Sequence, residues 1–148
     1  MRAHAVYCHP KEGSLTAAIR DLVMQKLKHS AVQARLIDLY AEGFQPVLTP
    51  DGWDKYEHPP SNRAAVSDHC EHLRWRDTLI FVCPTWWYGL PAMLKRWLDR
   101  VMLPNEAFLM SDAQNKTIRP GLQYMQRFGV FTTCGASWWL TLLVGAPG

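Results

Sequence analysis

The chain has 148 residues, 48% of them hydrophobic and 20% charged, with a formal net charge of +3. That balance fits one globular domain spanning 1–148 with a sizeable buried core, and it rules against a disordered segment. The positive charge is mild and holds no run of Lys or Arg, which speaks against a nucleic-acid partner, and no apolar run reaches the ~18 residues of a membrane span.

Ala3 to Cys8 is a short apolar run, read as a buried strand, and it stops at His-Pro-Lys-Glu-Gly. Ser14 is placed to cap a helix, and Leu15, Ala18, Ile19, Leu22, Val23 and Leu27 recur at helical spacing to about His29. Ala34 to Tyr40 predicts a second strand, which makes a β-α-β unit with a parallel strand pair. Ala41 to Asn62 is rich in Pro, Gly and polar residues and reads as a surface excursion with little regular structure. A second helix is expected over Arg63 to Arg76, and Thr78 to Cys83 is apolar without alternation, as in a central strand covered on both faces. Pro91 is expected in the first turn of a third helix with Met93, Leu94, Trp97, Leu98 and Val101 as its apolar stripe. Leu103 to Gln123 reads as loop, Phe128 to Cys134 as a fourth strand, and Trp138 to Val144 as the start of a helix. The alternation implies an open parallel α/β sheet, and in the order 2-1-3-4-5 ligands bind beyond the carboxyl ends of strands one and three.

The amino terminus breaks at His9-Pro10 without a cleavage pattern, so it is not read as a signal peptide. Cys8, Cys70, Cys83 and Cys134 form no CxxC pair and read as reduced core thiols of a cytoplasmic protein. A zinc site from Cys8, His9, Cys70 and His72 is disfavoured by irregular spacing and by the alternation of Cys8 and His9 along a strand.

Three loops carry the chemistry. HPKEGSLTAA opens a helix, whose unpaired N–H groups and partial positive charge suit a phosphate, with His9, Ser14 and Thr16 as further donors. PTWWYGLPAM offers the flat faces of Trp86, Trp87 and Tyr88, stiffened by Pro84 and Pro91. TTCGAS ends a strand with Thr132 and Thr133, and Gly135 leaves room for a ring to lie flat. Each loop alone is also compatible with an ordinary turn; a capped helix start explains the first, and core packing explains one Trp of the doublet.

The stretch LIFVCPTWWYGLPAMLKRWLDRVMLP resembles the signature segment of the flavodoxin-like NAD(P)H dehydrogenase (quinone) family, the DT-diaphorase-like reductases and their bacterial relatives. HPKEGSLTAAI, LIDLYAEGFQPVL and VFTTCG are similar to that family's phosphate loop, second strand and Thr-Thr-x-Gly loop. The resemblance implies a flavodoxin-like fold and a bound flavin, with FMN favoured and FAD possible, reduced by NAD(P)H and reoxidised by an acceptor such as a quinone in a ping-pong hydride transfer. It places the flavin phosphate on His9, Ser14, Leu15, Thr16 and Ala17, the ring against Pro84, Thr85, Trp86, Trp87 and Tyr88, and the pyrimidine side on Thr132, Thr133 and Gly135. It also implies a homodimer with each flavin near the interface. Tyr88 is the phenol expected as a proton donor. The Tyr and His that DT-diaphorase carries after the Thr-Thr-x-Gly loop are absent from 136–148, Asn105-Glu106 stands where the family has Gly-Phe, and the family's fifth strand and last helix are not expected within this chain. Two other functions stay open: a flavin-binding regulatory subunit of a potassium-efflux transporter, and an inactive short relative.

Overall fold

The computed structural model describes residues 1–137 together with Trp139 and Leu143. Strand β1 (Arg2–Tyr7) is buried from Ala3 onward. Helix α1 (Leu15–His29) begins where the Ser14 hydroxyl accepts the Ala17 N–H at 3.1 Å, and Lys26, Lys28 and His29 complement its carboxyl end. It leads to β2 (Gln33–Asp38), then to a one-turn helix α2 (Pro50–Asp54) capped by Thr49. A 3₁₀ turn (Ser61–Val66) runs into α3 (Ser67–Trp75), followed by β3 (Thr78–Pro84), α4 (Ala92–Val101), a small hairpin of β4 (Phe108–Leu109) and β5 (Arg119–Pro120), and β6 (Arg127–Thr133).

The main sheet is parallel throughout, in the order β2-β1-β3-β6. All seven residues of β3 are buried, as its unalternating sequence requires of a strand covered on both faces. Alternation along β1 splits the core in two. Ala3, Ala5 and Tyr7 pack with α1, whereas Val6 and Cys8 pack with α3 and α4 around the fully buried Trp97. β6 lies at the sheet edge, and Phe128, Val130 and Phe131 are exposed there. Among the described residues no fifth strand extends the sheet beyond it.

Several expected boundaries move. The helix expected from Arg63 starts as α-helix only at Ser67, because Val66 takes φ −138° and breaks the helical path; it ends at Trp75, because Arg76 is extended. Pro91 is the residue before α4 rather than part of its first turn. The excursions at 41–62 and 103–123 are less irregular than expected, since they hold α2 and the β4–β5 hairpin. Glu106 fastens the second of these: its buried carboxylate accepts from Arg63 and Arg74, tying the loop to α3. The helix expected over 138–144 lies outside the described residues apart from Trp139 and Leu143. Cys8, Cys70 and Cys83 are buried free thiols, with burial raising Cys8 to about 12, but Cys134 is exposed and so is not a core thiol.

Candidate functional site

A parallel sheet delivers the ends of β1, β3 and β6 to one edge, and the direction of winding reverses between β1 and β3. The loops after these strands enclose a cleft of about 730 Å³ lined by 11 residues from three separate segments: His9 and Ser14 to Thr16, Pro84 to Trp87, and Thr133 to Gly135. Among the described residues no carboxylate lines it.

The first wall is the amino end of α1. The N–H groups of Leu15 and Thr16 precede the first possible intrahelical acceptor and are free to bind an anion. The Ser14 oxygen accepts from Ala17 and keeps its own proton to donate. His9 Nδ1 lies 3.0 Å from the Lys11 nitrogen and 3.1 Å from the Lys11 carbonyl oxygen, which holds the ring in place at the loop. The His9 ring lies 6.1 Å from that of Trp86, which joins the first wall to the second.

Hydroxyl pairs tie the walls together. Thr16 Oγ1 and Thr133 Oγ1 are 3.0 Å apart, linking α1 to the end of β6. Thr85 Oγ1 and Thr132 Oγ1 are 2.7 Å apart, and the Thr85 N–H donates to the Thr133 carbonyl at 2.7 Å. In the second loop Trp86 and Gly89 exchange both backbone hydrogen bonds, at 3.1 and 3.0 Å. Trp87 and Tyr88 between them adopt φ 51° and 58°, the signature of a type I′ turn made without glycine. Each such residue costs about 1–3 kcal/mol, a strain found mostly at ligand-binding and switching segments. The turn leaves Trp87 fully exposed at the mouth of the cleft. At Gly135 a Cβ would meet nothing within 4 Å, so the space there is open.

The structure therefore brings together His9, Ser14, Leu15, Thr16, Pro84, Thr85, Trp86, Trp87, Thr133 and Gly135. Three expected residues stand apart. Ala17 is buried and its N–H is already taken by Ser14. Thr132 and Tyr88 line a neighbouring apolar cavity of about 650 Å³ between β6 and α4, which shares Pro84 and Thr85 with the cleft. The buried Tyr88 Oη has no partner there. Cys134, which sequence reasoning passed over as core, lines the cleft; its place between Thr133 and Gly135 was the available signal.

A family profile described as a flavodoxin-like fold matches residues 1–141. Over 105 residues the chain is 39% identical to an uncharacterized NAD(P)H oxidoreductase, YcaK, of Escherichia coli (strain K12), covering 68% of this chain and 52% of that protein. It is 25% identical over 131 residues to NAD(P)H dehydrogenase [quinone] 1 of Rattus norvegicus, covering 78% and 48%. The chain spans about half the length of these curated relatives. The crystal structure of Smu.1420 from Streptococcus mutans UA159 superposes with a TM-score of 0.80 at 29% identity, covering 100% of this chain and 76% of that one.

Proposed function

The chain belongs to the flavodoxin-like fold family (Flavodoxin_2) matched over residues 1–141, and on that premise we propose that it binds a flavin, FMN rather than FAD, in the cleft and works as an NAD(P)H-dependent oxidoreductase on an acceptor such as a quinone. The observation that carries this reading is the lining: unpaired backbone N–H groups, the Ser14 hydroxyl and the His9 imidazole at one end, flat aromatic and open walls at the other, and no carboxylate among the described lining residues. A flavin fits it, with its phosphate toward His9, Ser14, Leu15 and Thr16 and its ring toward Pro84, Thr85, Trp86, Trp87, Thr133 and Gly135.

When bound, the flavin would supply hydride transfer from the nicotinamide to the acceptor. The chain's own residues position and shield. The amino end of α1 neutralises phosphate charge through fixed dipoles. The Thr16–Thr133 pair holds the first and third walls at one spacing, and backbone N–H groups of the 132–135 loop serve as non-titrating donors in place of a Tyr–His pair. Tyr88 would give a proton only to a group that enters the neighbouring cavity, where its hydroxyl lies. A cytoplasmic location goes with this reading, and no helix among the described residues is long and apolar enough to cross a membrane. No relative named above is a transporter subunit, so no observation favours that alternative.

Three outcomes are expected. Denaturing the purified protein releases flavin, or the colourless protein takes up FMN on titration; a chain that holds neither FMN nor FAD ends the reading. Trp87→Ala weakens flavin affinity by about 2- to 10-fold, from ~0.5–1.5 kcal/mol per aromatic contact. The exposed edge strand and the exposed Trp139 and Leu143 favour a homodimer. Sedimentation at micromolar concentration is expected to give twice the chain mass, and a clean monomer counts against a shared site.

A further inference from the structure

His4 stands between Ala3 and Ala5 in β1, fully buried, and neither of its ring nitrogens has a hydrogen-bond partner. Its ring stacks on His72 of α3, with centroids 5.1 Å apart and planes 8° from parallel, and lies 6.5 Å from Trp97 of α4. A third imidazole, His69 of α3, meets Trp97 and Phe44 edge-on at 6.4 and 5.1 Å. One helix, α3, is thus joined to β1 and α4 through three histidines.

The hydrogen bonds define which protonation state this arrangement accepts. His69 Nδ1 accepts the Trp97 indole N–H at 3.2 Å, and His72 Nδ1 accepts from the Arg35 guanidinium at 3.3 Å. Indole and guanidinium donate only, so a proton on either Nδ1 turns a bond into two opposed donors. A proton on His4 would add a buried charge beside Arg76, with only the Arg35 backbone near enough to favour it. The facing charges are Arg35 from β2, Asp68 and Glu71 from α3, Arg76 just after it and Arg100 from α4. The two carboxylates favour imidazolium and the three guanidiniums oppose it.

We propose that His4, His69 and His72 form an acid-sensitive latch, which holds α3 against β1 and α4 while all three rings are neutral and releases it when they take up protons. Burial, with the nearby guanidiniums and imidazoles and against Asp68 and Glu71, lowers all three below the ordinary imidazole range, His4 to about 3, so the latch is closed at neutral pH. Its release reaches the cleft. α4 follows the 84–91 loop directly, and its Leu98, with Met102 just past its end, lines the cavity that shares Pro84 and Thr85 with the cleft.

Hydrogen exchange of the α3 amides, 67–75, near pH 7.5 and near pH 5 tests this, after correction for intrinsic exchange. The unaltered chain is expected to lose about tenfold or more of its protection at the lower pH. In the triple variant His4→Phe, His69→Gln, His72→Gln, the Gln side chains still accept from Trp97 and Arg35 but do not titrate, and protection should stay level. The same loss in the variant, or no loss in the unaltered chain, overturns the latch. If the triple variant does not fold, the imidazole resonances of the unaltered chain decide. Titration of the three rings together with shifts in the α3 amides supports the latch, and titration without them refutes it.

Discussion

Trp97→Ala is expected to lower the stability of the fold by about 3–5 kcal/mol, the range for removing a large buried aromatic. Trp97 is fully buried. It packs edge-on against Phe81 at 5.9 Å and against His69, and donates its indole N–H to His69, so one side chain joins β3, α3 and α4. The surrounding rings are aromatic and held from several elements, which leaves little freedom to collapse into the space. Native domains are stable by only about 5–15 kcal/mol, so the variant loses a large share of the total, a fall in Tm of roughly 10–15 °C. Trp97→Phe keeps most of the packing and loses the hydrogen bond, about 1–2 kcal/mol. Thermal and urea unfolding of the two variants give the comparison. Equal losses would show that packing contributes little here.

Acidification is expected to be the second large effect. The His4 imidazole titrates at about 3 in the folded chain and at its ordinary 6.5 when unfolded. Between those values the unfolded chain binds more protons, so stability is full above pH 6.5 and falls as pH drops toward 3. At pH 5 His4 alone accounts for about 2 kcal/mol. The carboxylates held low by hydrogen bonds, Glu12, Asp77 and Asp112, lose their contribution only below the ordinary carboxylate range. A loss already present at pH 5 therefore isolates the imidazoles. Urea midpoints near pH 7.5 and near pH 5, in the unaltered chain and in His4→Leu, measure it. A variant with an undiminished pH slope would assign the loss to other groups.

The elements easiest to read from sequence were those whose local chemistry agrees with their place in the fold. Thr78 to Cys83 is apolar at every position because both faces of β3 are covered, and α1 announces itself through Ser14 and a regular stripe. The cleft was legible for the same reason: parallel strands send all their carboxyl ends to one edge, so three loops far apart in sequence must meet there. What was missed depends on partners that sequence does not display. The two-residue strands of the β4–β5 hairpin exist through pairing and through the Glu106 clamp. Tyr88 is adjacent to Trp87, yet the left-handed turn at 87–88 carries its ring into the neighbouring cavity. The apolar run from Ala3 to Cys8 contains His4, whose stacking on His72 follows only once α3 is docked.

The Thr16–Thr133 contact closes the cleft across 117 positions of the chain. A nascent polypeptide emerges at roughly 5–20 residues per second, so Thr133 leaves the ribosome about 6–20 s after Thr16. During that interval the β1-α1-β2 unit has the wall at the amino end of α1 but not the wall formed by β6. A ligand that needs both walls is captured only after β6 has emerged. Closure therefore waits for β6, and a ribosome stalled before residue 133 would hold a nascent chain whose cleft lacks its third wall.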